Sequence, residues 1–211
     1  MNALHQAQPI VTFGAPLDRA RAAMLMLHGR GALAEDILSL ARELARDDFA
    51  YLAPQAANQT WYPYRFLEPI ARNEPWFSSA LKVIDDALAR VVAAKIPHTR
   101  IILLGFSQGA CLTLEYVARH ARRYGGVAGL TGGLIGSDET PRAYPGSLDG
   151  TPIFLGCSDV DFHIPKARVL ETERVLNQLG GAVTTRLYPQ MGHSVNADEI
   201  DFVRAMMDQL K

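Results

Sequence analysis

The run Arg100-Ile101-Ile102-Leu103-Leu104-Gly105-Phe106 restricts this chain's fold more than any other segment. Four large apolar residues follow one another with no polar position between them. A strand with one face in water would alternate apolar and polar residues. A strand that is apolar on both faces must be covered on both, which is the habit of parallel sheets layered by helices. The run leads at once into Ser107-Gln108-Gly109 and then into residues 107–119, which read as a helix.

The same alternation fills the rest of the chain. Residues 22–27 form an apolar run ending at His28-Gly29, and residues 35–46 carry Ile37, Leu38, Leu40, Ala41 and Leu44 at helical spacing. Residues 49–53 are a short strand stopped by Pro54. Pro75 opens a helix over 75–95, since proline is tolerated in a first turn. Strands follow at 127–131, 152–156 and 183–188. Helices are predicted at 165–179, stopped by Gly180-Gly181, and at 198–210. Alternating strand and helix predicts the α/β class: a mostly parallel central sheet, right-handed crossovers and helices on both faces. With 211 residues and no linker, the expectation is a single domain over 1–211, its first 20 residues an N-terminal extension or edge strand.

Composition excludes several partners. Lys and Arg total 21 against 22 Asp and Glu, a net charge of −1, which argues against nucleic acid or an anionic membrane surface. No apolar stretch reaches the length of a membrane span, so stable membrane insertion is not expected. Residues 1–6 lack a basic region followed by an apolar core, so no secretory signal is expected there. Cys111 and Cys157 are far apart in apolar contexts and read as free buried thiols, Cys111 packing inward, in a cytoplasmic protein. With neither CxxC nor HExxH, no metal is expected.

Gly105-Phe106-Ser107-Gln108-Gly109 fits G-x-S-x-G between a strand and a helix. Such a serine sits on a sharp, strained turn that aims its hydroxyl out of the sheet. Side chains at Gly105 and Gly109 would strike the neighbouring strand and helix. A bare G-x-S-x-G is weak evidence; the strand before it and the helix after it strengthen it. A serine hydroxyl needs a base. Of the six histidines, His5, His98 and His120 are expected to be solvated, His5 in a disordered terminus. His28 reads as a satisfied core histidine. His163 and His193 follow predicted strands, and His193, in Met191-Gly192-His193-Ser194 between the last strand and the last helix, is the expected base. The loop after Phe154-Leu155-Gly156 offers two carboxylates, Asp159 and Asp161, to orient it. The order serine, acid, base is that of the α/β-hydrolases.

An oxyanion needs two N–H donors. Gln108, which follows the nucleophile, is one. Arg30, in Leu27-His28-Gly29-Arg30-Gly31, is the other. The bulky stretch 55–66 holds Trp61, Tyr62, Tyr64 and Phe66, which either seal the core or line a pocket. Trp61, Tyr64 and His163 are the candidate substrate contacts.

These segments together closely resemble the phospholipase/carboxylesterase family of small serine esterases, which are similar to the acyl-protein thioesterases. The resemblance runs over about 22–210, carried by 27–31, 105–110, 161–165 and 191–194. It implies a compact α/β-hydrolase without a large lid and cofactor-free hydrolysis through an acyl-enzyme. The family's acid sits in a D-x-x-[VI]-P stretch, which favours Asp161 in Asp161-Phe162-His163-Ile164-Pro165; counting forward from Gly156 favours Asp159. Two features depart from the thioesterases: Arg30 stands where an apolar residue is frequent, and the ring-rich loop carries Arg65. Both point to a shorter, more polar slot than a long acyl chain wants. The expected activity is hydrolysis of small or short-to-medium-chain carboxylic esters on Ser107, with a small-molecule ester as the partner. An acyl-protein thioesterase or lysophospholipase-like enzyme is the alternative, and a non-catalytic ligand-binding receptor a second one. A homodimer through an exposed apolar face is compatible with the composition.

Overall fold

The computed structural model describes residues 4–44 and 46–210. Residue 45, inside the predicted span of the first helix, lies outside the described residues, as do 1–3 and 211. The elements run β1 (Ile10–Gly14), β2 (Ala22–Leu27), α1 (Ala34–Leu44), β3 (Phe49–Pro54), α2 (Trp76–Ala93), β4 (Ile101–Phe106) and α3 (Gln108–Arg119). They continue with β5 (Gly126–Leu130), β6 (Pro152–Ser158), α4 (Lys166–Gln178), β7 (Ala182–Tyr188) and α5 (Ala197–Asp208). The strands form one seven-stranded sheet in the order β1-β3-β2-β4-β5-β6-β7. All neighbours are parallel except β1, which pairs antiparallel with β3 at the edge, Thr12 opposite Leu52. This is the helix-covered, mostly parallel sheet that the alternation predicts, and the α/β-hydrolase architecture that the resemblance implies, with no large lid among the described residues.

The apolar strands are buried because each supplies both faces. On β2, Ala23, Leu25 and Leu27 point to one core and Ala22, Met24 and Met26 to the other. On β4 the split is Ile101 and Leu103 against Ile102 and Leu104. Helices α2, α3 and α4 cover the first face, with Ile84, Leu112 and Val175 among the buried side chains. Helices α1 and α5 cover the second through Ile37, Leu38, Val203 and Met207. The period-2 alternation of a strand here divides one core from another rather than core from water.

This topology places the site. The chain leaves β2 for β3 on one side, while β4 lies on the other side of β2, Leu27 paired with Gly105. The helix after β2 packs on one face and the helix after β4 on the opposite face. The loops after β2 and β4 therefore part at a crevice beyond the carboxyl ends of two adjacent strands, the position where open α/β sheets bind ligands.

Candidate active site

Ser107 occupies that crevice. Its backbone has φ 55° and ψ −118°, a left-handed conformation that costs an L-residue on the order of 1–3 kcal/mol. The turn is held by its neighbours: the Ser107 N–H donates to Leu130 O at 3.0 Å, and Cys111 N–H donates to Ser107 O at 3.0 Å. Two glycines make it sterically feasible. A Cβ on Gly105 would strike the Gly109 carbonyl, and one on Gly109 would strike the Leu27 and His28 carbonyls. Helix α3 can start against the end of β2 only because both side chains are missing.

His193 Nε2 lies 2.9 Å from Ser107 Oγ, and His193 Nδ1 lies 2.7 Å from Asp161 Oδ2. The neutral Nδ1–H tautomer satisfies both contacts: the ring donates to the carboxylate and accepts from the hydroxyl. The side chain of Asp161 is fully buried. Its second oxygen accepts from the N–H groups of His163 at 2.8 Å and Ile164 at 2.9 Å, so the loop's own backbone aims the carboxylate. Asp159 goes elsewhere. Its Oδ1 accepts from Gln190 N–H at 2.8 Å, bracing the loop that carries His193 from behind. The structure thus brings Asp161, not Asp159, to the histidine.

The two expected oxyanion donors are carried by segments that meet at Ser107. A Cβ on Gly29 would lie 3.5 Å from Ser107 Cβ, which measures how closely the 28–31 loop approaches the nucleophile. Gln108 is the first residue of α3, so no helical carbonyl lies one turn behind it to receive its N–H. The side chains of these two residues share a task that spacing in the sequence did not reveal. Gln108 Oε1 accepts from Trp61 N–H at 2.9 Å, and its Nε2 donates to Tyr62 O at 2.8 Å. The Arg30 guanidinium donates to the carbonyls of Tyr62, Pro63 and Tyr64 at 2.9, 2.9 and 2.7 Å. Both residues grip the same aromatic loop, more than thirty positions away in the chain.

That loop walls a cavity of about 580 Å³ whose lining includes Ser107, Gln108, His193, Arg30, Tyr64 and His163. Tyr62, Phe66, Arg65 and Glu68 also line it. His163 meets His193 edge to face, ring centroids 4.8 Å apart. Trp61 is a correction. It is fully buried, its indole N–H donates to His28 O at 2.9 Å, and it does not line the cavity. The ring is drawn beneath the loop because its polar edge finds a partner there.

His5 is a second correction. It is neither solvated nor disordered: its Nε2–H donates to Trp61 O at 3.0 Å, its Nδ1 accepts from Ala57 N–H at 3.0 Å, and it packs on Trp61 and Trp76. Burial pushes its pKa down, as it does for His28. His28 is a satisfied core histidine, its Nδ1–H donating to Gly29 O and its Nε2 accepting from Ala56 N–H. His98 and His120 are half-buried rather than solvated; His120 stacks on Tyr116 and bonds its carbonyl through Nδ1. Both cysteines are buried and free, and burial raises each thiol's pKa to about 12, so neither is a thiolate near neutral pH. Among the described residues no His, Cys, Asp and Glu cluster could hold a metal ion, and no helix is long and apolar enough to cross a membrane.

Comparison with known proteins gives the family. A phospholipase/carboxylesterase from Dyadobacter fermentans superposes with a TM-score of 0.92 at 43% identity, covering 95% of this chain and 96% of that one. An acyl-protein thioesterase 1 from Candida albicans is 28% identical over 90% of this chain and 94% of its own length. A Bacillus cereus carboxylesterase, at 19% identity and a TM-score of 0.75, covers 97% of this chain and 95% of that one and shares the fold. The family model described as phospholipase/carboxylesterase matches residues 10–210, and the chain belongs to that family of hydrolases.

Proposed function

We propose that this protein is a serine carboxylesterase acting on small carboxylic esters, with Ser107, His193 and Asp161 as its catalytic triad. The observation that carries the reading is the unbroken Ser107–His193–Asp161 hydrogen-bond chain at the crevice between β2 and β4. Ser107 Oγ attacks the ester carbonyl as its proton passes to His193 Nε2. The buried Asp161 carboxylate stabilises the imidazolium. The backbone N–H groups of Arg30 and Gln108 receive the oxyanion; losing one such donor typically costs about 10²–10³ in rate. Collapse expels the alcohol, which takes the proton from His193 and leaves an acyl-enzyme. Water then attacks the acyl carbon, giving a proton to His193, which returns it to Ser107 Oγ as the acid is released.

The cavity supports short acyl groups over long ones. Arg30 and Arg65 share its wall with the rings, where a long acyl chain wants a continuous apolar surface. The thioesterase reading rests on the names of relatives such as the Candida albicans protein and uses the same residues. The two buried free thiols favour a cytoplasmic setting.

The deciding experiment labels the protein with a fluorophosphonate, locates the adduct by mass spectrometry and scans ester and thioester chain length on the same preparation. The expected result is an adduct on Ser107 alone, with turnover falling as the acyl chain lengthens. Ser107→Ala should lose the label and, on the order of 10⁴–10⁶-fold, the turnover. Preference for long-chain thioesters would favour the thioesterase. A folded sample that takes no label would favour a ligand receptor.

A further inference from the structure

Arg65 lines the cavity, yet its guanidinium has no partner among the described residues. Glu68 also lines the cavity, but its Oε2 accepts from Arg72 at 2.8 Å. Arg30 adds a second positive charge to the same wall. Three carbonyl dipoles hold it in place and none of them neutralises it. The other carboxylate at the site, Asp161, is committed to His193 and two amides. The rest of the wall is largely aromatic, with Tyr62, Tyr64 and Phe66.

We infer that the preferred substrate is an ester whose acyl part ends in a carboxylate, a half-ester of a short dicarboxylic acid, with Arg65 as the contact for that carboxylate. This rests on the esterase reading above and narrows it. A neutral acyl chain laid over Arg65 would strip water from the guanidinium and return nothing. A carboxylate replaces that water with two parallel N–H···O bonds, and a single free guanidinium matches one planar carboxylate. Arg30, turned onto three carbonyls of the loop, contributes charge rather than contact. The rings cover the methylenes between the two ends.

The test compares monoethyl glutarate with ethyl valerate, which differ by carboxylate against methyl at the chain end. Each consumes one water and releases ethanol, an acid and its proton. The expected ratio of kcat/KM is at least tenfold in favour of the half-ester and falls with rising salt. Arg65→Gln should lower that ratio at least tenfold, mainly through the KM of the half-ester, and Arg65→Lys should restore part of it. Arg174→Gln, on the exposed face of α4, should leave it unchanged. A wild-type ratio of one or less, or a ratio indifferent to Arg65→Gln, overturns the proposal. Binding of monoethyl glutarate to Ser107→Ala, with and without Arg65→Gln, reads the same contact without turnover; equal Kd values also overturn it. Tight, Arg65-dependent binding without hydrolysis or Ser107 labelling would instead sink the esterase reading and leave the anion contact standing.

Discussion

Asp161 and Asp159 stand two residues apart and do different work, and residue-scale chemistry separates them. Asp161→Asn keeps an oxygen for the His163 and Ile164 amides but removes the charge facing His193. It should cost about 10³–10⁴ in kcat, the scale on which a triad carboxylate acts. Asp159→Asn should cost tenfold or less, because Asp159 only braces the loop at Gln190. Steady-state kinetics on both variants decides the assignment; the reverse ranking would make Asp159 the acid. Glu199 offers a second residue-scale prediction. It is fully buried at the start of α5 in a capping box with Asn196, and a Cβ on Gly156 would collide with its Oε1. Burial pushes its carboxyl from 4.5 up to about 7. The folded state then holds a proton that the unfolded chain releases above 4.5. Stability therefore falls as pH rises from about 4.5 to 7 and is level beyond, by about 3 kcal/mol for this group. Glu199→Gln keeps the cap and should erase that portion of the fall. Urea unfolding of both proteins at pH 5 and pH 8 measures the difference directly, since buried His5 and His28 titrate in both.

At the scale of elements, the loop 60–66 is the part whose position the sequence did not disclose. Its rings were visible, and so was the choice between sealing the core and lining a pocket. The structure divides them: Trp61 seals, while Tyr62, Tyr64 and Phe66 line. Nothing in periodicity separates those fates, because the deciding contacts come from Arg30 and Gln108, distant in sequence. His5 was misplaced for the same reason. A polar residue near a terminus reads as solvated unless its partners, here Trp61 and Ala57, can be seen. By contrast, β2 to β7 and the five α-helices were legible to within a few residues, most of them from their apolar patterns, while β1 was legible only as an extension or edge strand somewhere in 1–20. The candidate nucleophile and base were legible because each follows its own strand, and the candidate acid only as a choice between Asp159 and Asp161. Arg30→Met tests the loop's anchoring. It removes three hydrogen bonds from a charged donor, each worth about 1.5–3 kcal/mol when made. Hydrogen exchange at 60–66 should quicken, and kcat should fall severalfold while the far sheet edge at β7 exchanges as before. Unchanged exchange at 60–66 would show that Gln108 alone holds the loop.

On the scale of the whole molecule, everything converges on the place where β2 and β4 lie side by side and their helices leave on opposite faces. Gly109 is where that convergence is tightest, since α3 begins against the carbonyls of Leu27 and His28. Gly109→Ala should therefore act globally, pushing helix from sheet. The expectation is a loss of about 3 kcal/mol or more, read as a drop in Tm, together with loss of activity. A stable, inactive Gly109→Ala protein would confine the contact's importance to chemistry. The shared grip of Arg30 and Gln108 has a consequence for how such a protein changes over generations. The residues expected to cradle the developing charge also brace the wall that chooses the substrate. A mutation that reshapes the wall pulls on the cradle, so a new diet arrives with a slower enzyme. Lineages that shift preference should do so through Arg65 and its exposed neighbours, which can vary freely, and leave the two anchors alone.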